Sequence, residues 1–149
     1  MLPSAVPVNL EWCKPPPKGT GVDDGGDLTG RRVLVVEDEF LLAMELETLL
    51  SQRGCTVLGP VPTVRQALAM LDREQPEAAL LDVNLKGERA TPIAVALRER
   101  GVPFVLVTGY SDHQLSEPEL HEAPRLDKPV NGRDLKCALA RALEVAGTS

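Results

Sequence analysis

Glu77-Ala78-Ala79-Leu80-Leu81-Asp82-Val83-Asn84-Leu85 is the stretch that decides the fold: an unbroken apolar run leads directly into an aspartate. Apolar residues with no polar alternation mark a strand buried on both faces of a sheet. A carboxylate at its end falls where the sheet stops and loops begin, the edge at which open parallel sheets bind ligands. Asp82 is therefore a candidate functional residue. Asp and Asn also favour turns, so on this stretch alone Asp82 divides evenly between a site residue and the opening of a turn with Asn84.

A second stretch breaks the tie. Arg31-Arg32-Val33-Leu34-Val35-Val36 is another apolar, β-branched run, and it ends in Glu37-Asp38-Glu39. Three acids at the end of a buried strand repel one another and are costly to desolvate. Two buried strands that both end in carboxylates imply one shared acidic pocket. Its oxygens suit a hard divalent cation such as Mg²⁺, which keeps several waters and takes one or two protein carboxylates.

Composition sets the bounds. A chain of 149 residues has room for one domain with a sizeable core. Aromatic residues are only 3%, so that core must be aliphatic. A net charge of −6 argues against the basic footprint that nucleic-acid binding needs. No apolar run is long enough to span a membrane, and no signal-peptide pattern opens the chain. Cys13, Cys55 and Cys137 form no CxxC and no cluster with histidine, a pattern that fits reduced thiols in a cytoplasmic setting. His113 and His121 have no metal-binding spacing and read as surface residues.

Residues 1–29 are rich in proline and glycine and read as a flexible lead-in; residues 30–147 read as the folded domain. Within the lead-in, Val8–Trp12 alternates like a short strand. After the first strand, Leu42, Leu46, Leu49 and Leu50 form one apolar stripe of a helix from Phe40 to Arg53, stopped by Gly54. Cys55–Leu58 is a second strand, closed by Gly59-Pro60. Thr63 and Gln66 form a capping box for a second helix. Lys86-Gly87-Glu88 reads as loop. Thr91 and Pro92 open a third helix as cap and first-turn residues. Pro103–Val107 is a fourth strand running into Thr108-Gly109-Tyr110. Ser111–Ala123 should hold the fourth helix but is degraded by Pro118 and by polar residues. Pro124–Asp127 is a thin fifth strand, followed by Lys128-Pro129, and a last helix runs from Asn131 to about Val145. Strands and helices thus alternate five times, which implies an α/β domain: a parallel sheet with helices on both faces.

The unusual polar residues fall at one edge of that sheet. Glu37 and Asp38 follow the first strand, Asp82 the third, Thr108 the fourth and Lys128 the fifth. Each has a plainer reading: a helix-start acid for Glu37 and Asp38, a strand-end residue for Thr108, a solvated lysine for Lys128. Their shared placement and complementary chemistry favour a site.

Four motifs carry a resemblance to the receiver domain of two-component response regulators: V-L-V-V-E-D-E at Val33–Glu39, L-L-D-V-N-L-K-G at Leu80–Gly87, V-T-G-Y at Val107–Tyr110 and L-D-K-P-V at Leu126–Val130. The resemblance implies a flavodoxin-like, doubly wound five-stranded parallel sheet of order 2-1-3-4-5. It implies a phosphoacceptor in a phosphorelay rather than an enzyme, with Asp82 as the phosphorylation site and a histidine kinase or phosphotransfer protein as donor. It further implies Mg²⁺ held by Asp38, Asp82 and the backbone carbonyl of Asn84, with Glu37 acting through water. Lys128 and Thr108 would contact phosphoryl oxygens, and the Lys128–Pro129 bond would be cis.

Two departures shape the reading. Receivers usually carry Tyr or Phe three residues before the lysine as a rotating switch, and Arg125 stands there. The fourth helix is also degraded. With P-F-V-L-V-T-G-Y, these features resemble a receiver subgroup served by kinases of the HWE or HisKA-2 type, in which Tyr110 or the Ser111–Ala123 segment would carry the readout. No room for a DNA-binding module follows the last helix, so signalling through a downstream protein partner, or service as a phosphate sink, is expected. Asn9–Trp12 and its linker are weakly similar to the end of a kinase ATP-binding domain, which raises the alternative of a receiver cut from a hybrid histidine kinase. A homodimer is left open. A haloacid-dehalogenase-like phosphatase would need a second aspartate where Asn84 stands, which makes it the weaker alternative.

Overall fold

The computed structural model describes residues 28–85, 87–109 and 123–147. Five strands form one parallel sheet: β1 (Arg32–Val36), β2 (Thr56–Val61), β3 (Ala78–Asp82), β6 (Phe104–Thr108) and β7 (Arg125–Asp127), in the order β2-β1-β3-β6-β7. A two-stranded antiparallel ladder, β4 (Asn84–Leu85) with β5 (Glu88–Arg89), follows β3. The helices are α1 (Phe40–Gln52), α2 (Val64–Arg73), α3 (Thr91–Glu99) and α4 (Gly132–Gly147). This is the doubly wound sheet that the alternation of elements implies. The degraded segment expected at Ser111–Ala123 falls outside the described residues except for Ala123, as do Tyr110, Lys86 and residues 1–27.

The period of two along each strand sorts the sheet's side chains into two cores. Leu34, Val36, Ala79, Leu81 and Leu106 face α2 and α3, packing on Ala67, Leu71, Ile93, Ala94 and Leu97. Val33, Val35, Leu80, Val105 and Val107 face α1 and α4, packing on Leu46, Leu50, Leu135, Ala138 and Leu139. All five residues of β3 are buried, as expected of a central strand covered on both faces. Each leucine so buried contributes about 1.5–3 kcal/mol against exposure to water.

Four local readings are corrected. Leu28, grouped with the lead-in, is only 2% exposed; it packs in the α1/α4 core, and its carbonyl accepts from the Arg31 amide at 3.0 Å. β2 does not close at Gly59-Pro60 but continues to Val61, with a register shift that pairs Leu34 with Leu58 and Val36 with Val61. Gly59 makes this possible: its φ is +99°, and a Cβ there would stand 2.8 Å from the Val61 amide nitrogen and 3.0 Å from the Val35 oxygen. Glu88, read as loop, belongs to β5 and pairs with Leu85, with the Gly87 amide donating to Asn84 Oδ1 at 3.2 Å. The third helix is capped from Ala90, without a side-chain bond, and Thr91 lies inside it.

Other caps follow the sequence. Thr63 Oγ1 accepts from the Gln66 amide at 3.1 Å. Asn131 caps α4, its Oδ1 accepting from the Asp134 amide at 2.8 Å. The Lys128–Pro129 bond is cis, and so is Gly59–Pro60.

Candidate functional site

The site lies at the C-terminal edge of the sheet, where β1, β3, β6 and β7 end. Glu37 follows β1, and its amide donates to the Val61 carbonyl at 3.0 Å. The extension of β2 past the glycine bulge therefore holds the backbone of the acidic loop. Asp82 is the last residue of β3 and is 3% exposed; Glu37 is 2% exposed, and Asp38 is half-buried. Carboxylate oxygens of Glu37, Asp38 and Asp82 all lie within 4.8 Å of one another. Thr108, buried, ends β6. Lys128 follows β7, placed by its amide donating to the Thr108 carbonyl at 2.9 Å.

Lys128 faces this cluster. Its Nζ lies 3.4 Å from Asp82 Oδ2, 3.8 Å from Glu37 Oε2 and 3.2 Å from Glu39 Oε1. Burial by itself would lower the lysine's pKa, but the charges of Asp82, Glu37 and Glu39 outweigh it and hold the ammonium above its usual value. The acids are under the opposite pressure. Burial, then the hydrogen bond and like charge shared with Asp82, push Glu37 up to about 8. Burial likewise raises Asp82, against the opposing effects of its hydrogen bonds with Glu37 and the Asn84 amide and of the nearby Lys128. One ammonium cannot neutralise this many carboxylates in so dry a place.

The donor set fits a hard divalent cation. Glu37 Oε1 is buried and has no hydrogen-bond partner, a cost that proteins rarely leave uncompensated. Hard oxygen ligands from one or two carboxylates, with room at a half-buried edge for waters, are what Mg²⁺ takes.

Not every predicted residue meets there. Asn84 is exposed in β4, and its amide donates to Asp82 Oδ1 at 3.2 Å, the contact expected if Asp82 opens a turn. Arg125 is half-buried at the start of β7, opposite Leu106 in the ladder, and lies back along the strand from the acidic cluster. Tyr110 is outside the described residues. Two residues at the edge carry no role in the sequence reading: Glu39, which reaches Lys128, and Asp127, whose Oδ1 accepts from Thr108 Oγ1 at 3.2 Å. Both stand inside quoted motifs, Glu39 at the end of V-L-V-V-E-D-E and Asp127 in L-D-K-P-V, but nothing in the sequence shows which side chain each one touches.

A sheet of this order, with acids after β1 and β3, a hydroxyl after β6 and a lysine after β7, is the arrangement of a signal receiver. The chain belongs to the response regulator receiver domain family, whose model matches residues 33–140. It is similar to the positive alginate biosynthesis regulatory protein of Pseudomonas aeruginosa, 32% identical over 114 residues, which covers 74% of this chain and 46% of that protein. The chain thus spans about half the length of the curated relatives it matches. Among solved structures it is similar to SdrG from Sphingomonas melonis Fr1, with a TM-score of 0.69 and 43% identity over 80% of this chain and 98% of that one. It is also similar to the response regulator PhyR from Brucella abortus, with a TM-score of 0.71 and 26% identity over 81% of this chain and 51% of that one. Among the described residues, no helix is long and apolar enough to cross a membrane.

Proposed function

We propose that this receiver is a phosphoacceptor that takes a phosphoryl group onto Asp82 from the phosphohistidine of a partner kinase. The observation that carries the reading is the placement of the Lys128 ammonium 3.4 Å from Asp82 Oδ2, beside the Glu37–Asp38 pair. In the transfer, an ionised Asp82 oxygen attacks phosphorus, the P–N bond to the donor imidazole breaks, and the electron pair stays on that nitrogen. Phosphoryl transfer asks the protein chiefly for positioning and for charge stabilisation. Lys128 would meet one phosphoryl oxygen as a compact cation, and the Thr108 hydroxyl would donate to another. Asp38, Asp82 and the Asn84 carbonyl would hold Mg²⁺, with Glu37 acting through water; the ion would supply the remaining neutralisation of charge.

The resemblance of P-F-V-L-V-T-G-Y and of Arg125 to one receiver subgroup supports a donor kinase of the HWE or HisKA-2 type and a readout through Tyr110 or residues 111–123 in place of a strand aromatic. The output would be a downstream protein partner or drainage of phosphoryl groups from the kinase. The relatives named above are regulators, which favours this over a piece of a hybrid kinase. A phosphatase is disfavoured because the amide of Asn84 cannot serve as the general acid.

The test is intact-mass measurement after incubation with acetyl phosphate and Mg²⁺. Wild type gains the mass of one phosphoryl group and Asp82→Asn gains none. An equal adduct on both proteins, or turnover of many phosphomonoesters, would overturn the reading.

A further inference from the structure

Both side chains that would grip the phosphoryl group also reach a carboxylate outside the acidic cluster: the Thr108 hydroxyl donates to Asp127, and the Lys128 ammonium is shared between the cluster and Glu39. Lys128 Nζ lies closer to Glu39, at 3.2 Å, than to Asp82 at 3.4 Å or Glu37 at 3.8 Å. Glu39 is the residue before α1, yet its side chain makes no capping bond to that helix. It turns instead to the lysine, with 65% of the side chain exposed. Across the edge, Asp127 ends β7 directly opposite Thr108 in the ladder, and accepts the Thr108 hydroxyl at 3.2 Å. A hydroxyl has one hydrogen to donate, so Thr108 cannot hold Asp127 and a phosphoryl oxygen with it at once. Thr108 is buried while Asp127 is exposed, so the hydroxyl points its hydrogen at a group on the rim.

We propose that Glu39 and Asp127 are positioning residues that park the Lys128 ammonium and the Thr108 hydroxyl at the rim in the resting protein. This inference rests on the phosphoacceptor reading. A phosphoryl group carries nearly two negative charges and three strong acceptor oxygens, enough to draw both donors away from single carboxylates. The cost of leaving the rim weakens phosphoryl binding. Neither carboxylate belongs to the core, so the device is separable from the fold.

The experiment is calorimetric titration of the full chain with beryllium trifluoride, a phosphoryl mimic, in the presence of Mg²⁺. Wild type is compared with Glu39→Ala, Glu39→Gln, Asp127→Ala and Asp127→Asn. The amide variants lose the charge but keep an oxygen that accepts from ammonium or hydroxyl. Parking therefore predicts that each alanine variant binds roughly three- to tenfold tighter, the range of one hydrogen bond or exposed ion pair. Asp127→Asn stays near wild type, and Glu39→Gln falls between. Alanine variants that bind like wild type overturn the inference. Equal gains from alanine and amide also overturn it, because simple charge repulsion then accounts for the effect. Absence of binding in wild type sinks the phosphoacceptor reading and takes this inference with it. Thermal unfolding of each variant separates a weakened fold from a changed affinity.

Discussion

At the N-terminal end of the sheet, Arg31 Nη1 meets Glu77 Oε2 at 3.0 Å, the Arg32 amide meets Glu77 Oε1 at 3.0 Å, and the Arg32 guanidinium meets Glu74. At the C-terminal end of the same sheet, Glu37, Asp38 and Asp82 crowd together with Lys128 between them and Glu39. The first set is matched in charge and half-exposed. Its hydrogen bond from the Arg32 backbone, with the two arginines, holds Glu77 below the usual carboxylate range despite some burial. The second set is unmatched, and burial of Glu37 and Asp82 pushes those two acids upward. Matched charges at a wet rim tie β1 to the α2–β3 connection. Crowded charges in a dry pocket are held there by the surrounding fold, and their unfavourable energy is relieved only by a proton, a cation or a change of charge.

The largest expected effect that sharpens this contrast is on metal affinity. Asp38→Ala should weaken Mg²⁺ binding by at least about tenfold, measured by calorimetry, since few protein oxygens hold such an ion. Next is metal-free stability. Asp82→Asn should raise it by roughly 1–2 kcal/mol in urea unfolding, because a crowded buried carboxylate is replaced by a neutral amide. A loss of stability would mean that Lys128 already neutralises the pocket.

The pH dependence follows from the same crowding. Glu37 holds its proton up to about 8 when folded, against 4.5 for the ordinary group, so the native state binds more protons than the unfolded chain in that window. Stability of the metal-free protein should therefore fall as pH rises from about 4.5 to about 8, followed by thermal unfolding in EDTA. Mg²⁺ should flatten the slope by taking the proton's place. The smallest effect belongs to the other end of the sheet. Glu77→Gln should cost about 0.2–1 kcal/mol, less at high salt, and leave Mg²⁺ affinity unchanged. A large loss there, or a coupled change in metal affinity, would mean that the two ends of the sheet are energetically linked.

The existence of β1, β3 and β6 was readable because they are continuous apolar runs, which fit strands covered on both faces; their order was given only by the family resemblance. The stripes of α1 and α4 were readable from their spacing: Leu46, Leu50, Leu135, Ala138 and Leu139 are all buried. The extension of β2 was not. Gly59-Pro60 is ordinarily a strand terminator, and only the close approach of Val35 shows why a glycine there lets the strand bulge and run on. The cap of α3 was misplaced by one residue, since Thr91 is a good cap by type and lies inside the helix.

Within the site, the acidic residues and the lysine were legible because a charge at the end of a buried run is costly enough to need a reason. The contacts of Glu39 and Asp127 were not legible, because the sequence neighbours of an acid do not reveal what its side chain touches. The order of residues along this chain determined which strands are buried, where each one ends, and which side chains stand at those ends, since burial and periodicity are local properties of the chain. Only the tertiary structure decided that four strand ends close on one lysine, that the Glu37 backbone hangs from β2, and that Lys128 and Thr108 each rest on a rim carboxylate. Those relations join residues 19 to 89 positions apart, and distances of that kind are set by packing of the sheet against its helices.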